Sequence, residues 1–315
     1  MQRVLGIHFA ALVATLGLGA TALSVGAPKD AARLAAAQED ARVAAWRKAR
    51  LERLTSDSGW LTLVGLFWLK EGENTFGRAS SNALVLDHAA LAATAGRFVL
   101  TDHRVRFIAA PGSGVTHQGQ AVAELELVSD AQGEPTVLER GPLRFFVIER
   151  AGHVGVRVRD LESPRRLNFR GLGYFPVSTD WVCRARFEAY RPARRLRIMN
   201  ILGMEDEVES PGAIVFRRNG REWRLDAVLE APGEQQLFIM FADATSGRET
   251  YGAGRFLYIP LPQDGTALVD FNEAINPPCA LNDFATCPLP PPQNRLRLRI
   301  DAGEKQYAGG PEHSF

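Results

Sequence analysis

The chain is expected to fold as a mainly β protein, with antiparallel sandwich or barrel-like sheets and one helix near its N-terminus. Three observations carry this expectation. Short apolar runs recur between Gly-, Pro- and Asn-rich turns, several of them alternate apolar and polar residues, and a single long stretch has helical character.

In chain order, the first element is an address. Arg3 precedes an uncharged apolar run of 20 residues, Val4 to Leu23, followed by small residues and an Ala20-Thr21-Ala22 cleavage site. A basic start, an apolar middle and a small-residue junction describe a secretory signal peptide over residues 1–26. The expected location is periplasmic or secreted, with no stable membrane span after cleavage. Asp30–Leu54 follows, rich in Ala, Leu, Arg and Glu and free of Gly and Pro, which predicts a helix packing on the main domain. Asp30 suits its N-cap, and Lys48, Arg50 and Arg53 suit its C-terminal end.

From Trp60 onward the pattern is β. The run Trp60–Leu69 reads as one apolar strand, closed by a turn at Lys70–Asn74. Strands follow at 83–86, 96–100, 104–109, 121–128 and 143–150. Ala151-Gly152 turns the last of these back into residues 153–160, where Val154, Val156 and Val158 share one face and Arg157 and Arg159 the other. Asn219-Gly220 predicts a tight hairpin between 213–218 and 221–230. Runs at 235–242, 255–261 and 266–271 complete the set, and Arg295–Ile300 alternates Leu296, Leu298 and Ile300 against three arginines. No linker interrupts residues 56–315, which read as a single mainly β domain of two packed sheets with a Pro-rich C-terminal segment.

Bulk properties exclude several classes. With 315 residues, 46% hydrophobic and 23% charged, the chain can bury a sizeable core. A net charge of +1 supplies no global field for nucleic acid. No G-x-S-x-G elbow, phosphate loop or histidine pair at ligand spacing is present, so no metal or cofactor is expected. Cys183 falls on the apolar face of a strand. Cys279 and Cys287 lie close together in a loop-like region and suit a disulfide in an oxidising compartment; a metal site is the rival reading, without a C-x-x-C to support it.

The densest chemistry lies between Asp243 and Asn276. Glycines at 247, 252 and 254 allow close backbone approach, while Thr245, Tyr251 and Arg255 supply hydroxyls and a guanidinium. Asp270 and Asn272, two apart at a strand end, project to one face. Asp243 and Asp270 are the candidate catalytic pair, as an acid and a base of hydrolysis. Arg157, Arg159, Thr245, Tyr251, Arg255, Asn272 and Asn276 are the candidate ligand-binding residues, and His153 shares the strand face of Arg157. The expected site is a pocket built from the 243–255 loop and the 270–276 strand end, open to a small polar or anionic molecule. The competing reading makes the same residues turn and inter-loop bonds of a non-catalytic envelope module. A nucleotide- or flavin-binding split barrel is a weaker third.

The segments TSGRETYGAGRFL, DFNEAINPPCALNDFATCPLPPPQNRL and AGEK, with WLTLVGLFWLKEGENTFG, VGVRVRD and SPGAIVF, resemble the domain of unknown function 1684 family of bacterial and archaeal proteins. The resemblance runs from about Trp46 to Lys305. It implies that Arg157, Arg159, Asp160, Asp243, Thr245, Gly247, Thr250, Tyr251, Gly254, Arg255, Asp270, Asn272, Asn276, Cys279 and Cys287 fall on family motif positions, and it implies no reaction.

Overall fold

The computed structural model describes residues 28–231 and 233–311; the expected signal peptide lies outside the described residues. Helix α1 spans Pro28–Thr55, matching the expected element. Its apolar positions divide as a surface helix requires: Val43 and Leu54 are buried, while Leu34 is exposed. Among the described residues no helix is long and apolar enough to cross a membrane.

The first group of strands is β1 (Leu63–Trp68), β2 (Gly72–Gly77), β3 (Leu84–Val85), β4 (Gly96–Thr101), β5 (Arg104–Ala109), β6 (Thr116–His117), β7 (Gln120–Ala121), β8 (Glu124–Leu127), β9 (Leu138–Arg140), β10 (Leu143–Arg150) and β11 (His153–Asp160). They form a six-stranded sheet, β1-β11-β10-β9-β6-β7, and a five-stranded sheet, β3-β2-β4-β5-β8. Phe76, Phe98 and Phe107 of the second sheet meet Phe145, Val147, Val156 and Val158 of the first in one core. Phe98 and Phe107 rings lie 4.9 Å apart and Phe76 and Phe145 5.5 Å, tilted as aromatic quadrupoles prefer.

The second group is β12 (Val182–Met199), β13 (Glu205–Arg218), β14 (Arg221–Ala227), β15 (Gln236–Phe241), β16 (Arg255–Pro260) and β17 (Thr266–Asp270). Its sheets are β14-β13-β12-β17 and the pair β15-β16. Phe216, Leu225, Leu237, Ile239, Leu257 and Val269 fill the space between them, and Leu296, Leu298 and Ile300 close it. The Asn219-Gly220 turn takes positive φ at both residues, 52° and 72°, as a type I′ hairpin requires.

Three expectations change. Trp60–Thr62 forms a 3-10 turn before β1, and the expected turn at Lys70–Asn74 already enters β2. Asn74 explains the tight connection, because its side chain bonds the Lys70 N–H and carbonyl. Residues 295–300 are irregular rather than a strand, although Leu296, Leu298 and Ile300 do point inward. The acidic run Glu205–Ser210 opens β13 and joins β12 in one hairpin. Leu196 pairs with Val208 and Arg195 with Glu209 across it.

Candidate functional site

Arg255 opens β16 with no exposed surface and donates to Asp243 Oδ1 at 3.3 Å and to the Ile300 carbonyl at 2.9 Å, with a further bond to the Ala302 carbonyl. Asp243 Oδ2 accepts the Ile300 N–H at 2.7 Å. Burial lowers the Arg255 pKa, and the Asp243 carboxylate opposes that shift. Thr245 donates to Asp243 Oδ1 at 2.8 Å and meets Thr250 at 2.9 Å inside its own turn. Gly254 is required here: its φ is +98°, and a Cβ would lie 2.4 Å from the Phe241 carbonyl oxygen. The Asp243–Arg255 pair therefore replaces the missing strand ladder of residues 298–302, tying that irregular segment to the sheet.

Asn272 and Asn276 make two further ties. Asn272 exchanges bonds with the Ser178 backbone, accepting at 3.0 Å and donating at 2.9 Å, and its N–H is capped by Asp270 at 2.8 Å. Arg42 of α1 bonds Asp270 and Glu273. The Asn276 side chain donates to the Lys305 carbonyl, while its backbone N–H bonds Glu304 at 2.7 Å. Glu304, fully buried, pairs with Arg50 of α1 at 3.2 Å. Burial raises the Glu304 pKa, with Arg50 pulling the other way.

These residues are thus gathered by the fold but face inward. The expected pocket is corrected in its location. Asp243, Thr245, Tyr251, Arg255 and Asn272 line none of the larger cavities, whereas Glu273 and Ile275 of the 270–276 segment do line one. Glu249 of the 243–255 loop borders a separate surface hollow and is held there by Arg299.

A cleft of about 610 Å³ lies beside α1. Helix α1 roofs it with Trp46, Arg50 and Arg53, whose spacing of four and three residues puts them on one face. Trp60, Arg150, Phe256, Tyr258, Thr286 and Cys287 make its walls, with Glu230 at the rim. Burial and the neighbouring Glu230 push up the Tyr258 hydroxyl, which therefore remains protonated as a donor.

Arg157 stands behind this cleft, not among its lining residues, and reaches it through contacts with the wall residues Trp60 and Thr286. The register of β10 and β11 pairs it with Phe146, on the face opposite the valine core. It is 3% exposed, yet among the described residues no carboxylate pairs with it. Its guanidinium lies 5.5 Å from the Trp60 ring and 3.4 Å from Thr286 Oγ1, and its Nε has no partner. Burial, then the nearby charge of Arg150, lowers its pKa to about 10. Arg150 itself is neutralised by Asp130, through bonds of 2.7 and 2.9 Å. Arg159 lies 4.7 Å from the Phe146 ring and lines neither the cleft nor the adjoining hollows. Arg157 and Arg255, both candidate ligand-binding residues, contact different elements. His153 is exposed, edge-on to Trp68 at 6.1 Å.

Cys279 and Cys287 are neighbours as thiols, without a disulfide between them: the Cys279 N–H donates to Cys287 Sγ at 3.0 Å. Burial would raise the Cys279 thiol, but hydrogen bonds from Cys287, Tyr251 and two backbone N–H groups outweigh it and lower its pKa. Cys287 is pushed up by burial and by Cys279. Cys183 is half-buried, and burial raises its pKa. Among the described residues no group of His, Cys, Asp and Glu is arranged to hold a metal ion.

Residues 167–305 match the family model described as protein of unknown function (DUF1684). Over these residues the chain is similar to that family. The DUF1684 segment includes the Asp243–Asn276 ties and the Thr286–Cys287 wall, while Trp46, Trp60, Arg150 and Arg157 lie before it. An uncharacterised protein of Haloarcula marismortui, solved by solution NMR, is 29% identical; the match covers 44% of this chain and 78% of that one, with a TM-score of 0.39. No curated protein matches the chain.

The sequence reading missed Trp46, Arg50, Trp60, Arg150, Tyr258 and Thr286. A signal existed for the helical part, since Trp46, Arg50 and Arg53 repeat at helical spacing. Nothing in the sequence brings Arg150 and Thr286 to the same wall.

Proposed function

We propose that the protein is an exported binding protein for a small anionic ligand, held in the cleft between α1, Trp60 and the Ala285–Pro288 loop. The observation that carries this reading is Arg157. A buried guanidinium without a carboxylate partner is costly, and a carboxylate or phosphate entering the cleft would supply the missing acceptors. The aromatic walls suit the mixed apolar and polar character of small-molecule sites. The basic start and apolar run of residues 1–26 support export.

Asp243 and Asp270 are each occupied by cations and backbone donors, and neither lines the cleft. Hydrolysis by that pair therefore has no support in the geometry, and the dense internal bonding favours the reading of the Asp243–Asn276 motifs as fold-stabilising. Thermal-shift and calorimetric titration with acetate, inorganic phosphate and sulfate test the binding role. At least one anion is expected to stabilise the wild type and to lose this effect in Arg157→Met. Equal binding by the variant, or no binding to the wild type, rejects the proposal.

A further inference from the structure

A second chamber of about 180 Å³ adjoins the cleft, and Arg150, Glu230, Thr286 and Pro288 line both. Its remaining walls are mostly apolar: Ile198, Val208, Val228, Phe238 and Met240, with Asn200 and Asp206 beside them. The side chains come from β12, β13, β15 and the end of β14, so rigid strands rather than a loop shape it. An apolar space of this size beside a charged junction is unlike the filled cores of the same fold. An apolar group placed in it would take those walls out of contact with water.

Resting on the anion-binding reading, we infer that the ligand is an amphipathic monoanion, an aliphatic carboxylate whose head meets Arg157 and Thr286 and whose chain enters this chamber. Three features fit together. Thr286 touches Arg157 and borders both spaces, which places the head at their junction. Arg150 is paired with Asp130, which leaves Arg157 as the cation beside Thr286 without an ion-pair partner of its own; Glu230, bordering both spaces, adds a carboxylate that disfavours a second negative charge on the head. Asp206 lines the chamber and disfavours a second anionic group on the ligand's far end.

The test is a titration of the full mature chain with straight-chain monocarboxylates of increasing length, from acetate upward. Affinity is expected to rise about 3–4-fold per methylene while the chain fills the chamber, and then to level off. Val208→Phe, which narrows the chamber from a half-buried strand position, is expected to level off at a shorter chain while binding acetate as the wild type does. The length series on the wild type decides the matter even where that variant folds poorly. Short anions that bind without any dependence on chain length overturn the chamber's role and leave the anion site standing. A failure of acetate and phosphate alike to bind removes the anion site itself.

Discussion

Arg255 and Arg157 are both arginines of β-strands buried to nearly the same depth, yet their surroundings have opposite logic. Arg255 faces Asp243 and two backbone carbonyls that no strand ladder would otherwise satisfy. Arg157 faces a tryptophan ring and one hydroxyl and has no carboxylate partner among the described residues; Nε is without a partner in both arginines. The first arrangement compensates a buried charge with fixed protein groups and so belongs to the scaffold. The second leaves the compensation to something that enters from the cleft. Residue type alone does not separate a structural arginine from a binding one; the presence of a fixed carboxylate and carbonyl partners does.

The sharpest way to break this comparison is to remove the carboxylate that compensates Arg255. Asp243→Ala leaves Arg255 charged and uncompensated in the core and is expected to cost about 3–5 kcal/mol in denaturant unfolding. A loss below about 1 kcal/mol would mean that Arg255 is no more committed than Arg157. Asn272→Ala comes next. It leaves the Ser178 backbone without its partners, and its expected cost is about 1–3 kcal/mol.

Arg157→Met is expected to have the smallest effect on folding, within about 1 kcal/mol of wild type or stabilising. The sign follows from linkage. The folded-state pKa of Arg157 is lowered, so the unfolded chain holds the proton more tightly, and stability rises with pH only between about 10 and the ordinary arginine value. At neutral pH the charged form therefore works against folding when no anion is bound. A variant that unfolds as readily as Asp243→Ala would place Arg157 among the scaffold residues and erase the distinction.

Much of the fold was legible in the chain. The alternation of Val154, Val156 and Val158 with Arg157 and Arg159, and the turns at Ala151-Gly152 and Asn219-Gly220, appear where period-two patterning and turn chemistry put them. Glu73–Gly77 was missed because Asn74 and two glycines look like turn residues, while its pairing with β4 is a long-range contact. Residues 295–300 show the converse: their inward-outward alternation was correct, but their hydrogen bonds go to Asp243, Arg255 and isolated bridges rather than to a ladder. The candidate site was legible as a cluster of unusual residues and illegible as a surface. Polar density in a sequence does not distinguish groups that bond one another from groups left over for a ligand.

By itself the sequence determined the local physics: the mainly β class, α1, most strand boundaries, the tight hairpins and the concentration of polar chemistry between Asp243 and Asn276. Those features depend on periodicity, propensity and turn residues, which act over a few neighbours. Tertiary structure alone decided that Asp243 locks Arg255, that Glu304 meets Arg50 across the chain, and that Arg157 is left with Trp60 and Thr286 beside an open cleft. Hydrogen-bond completeness is a property of groups brought together from distant positions, and no local pattern encodes which of them will be left without a partner.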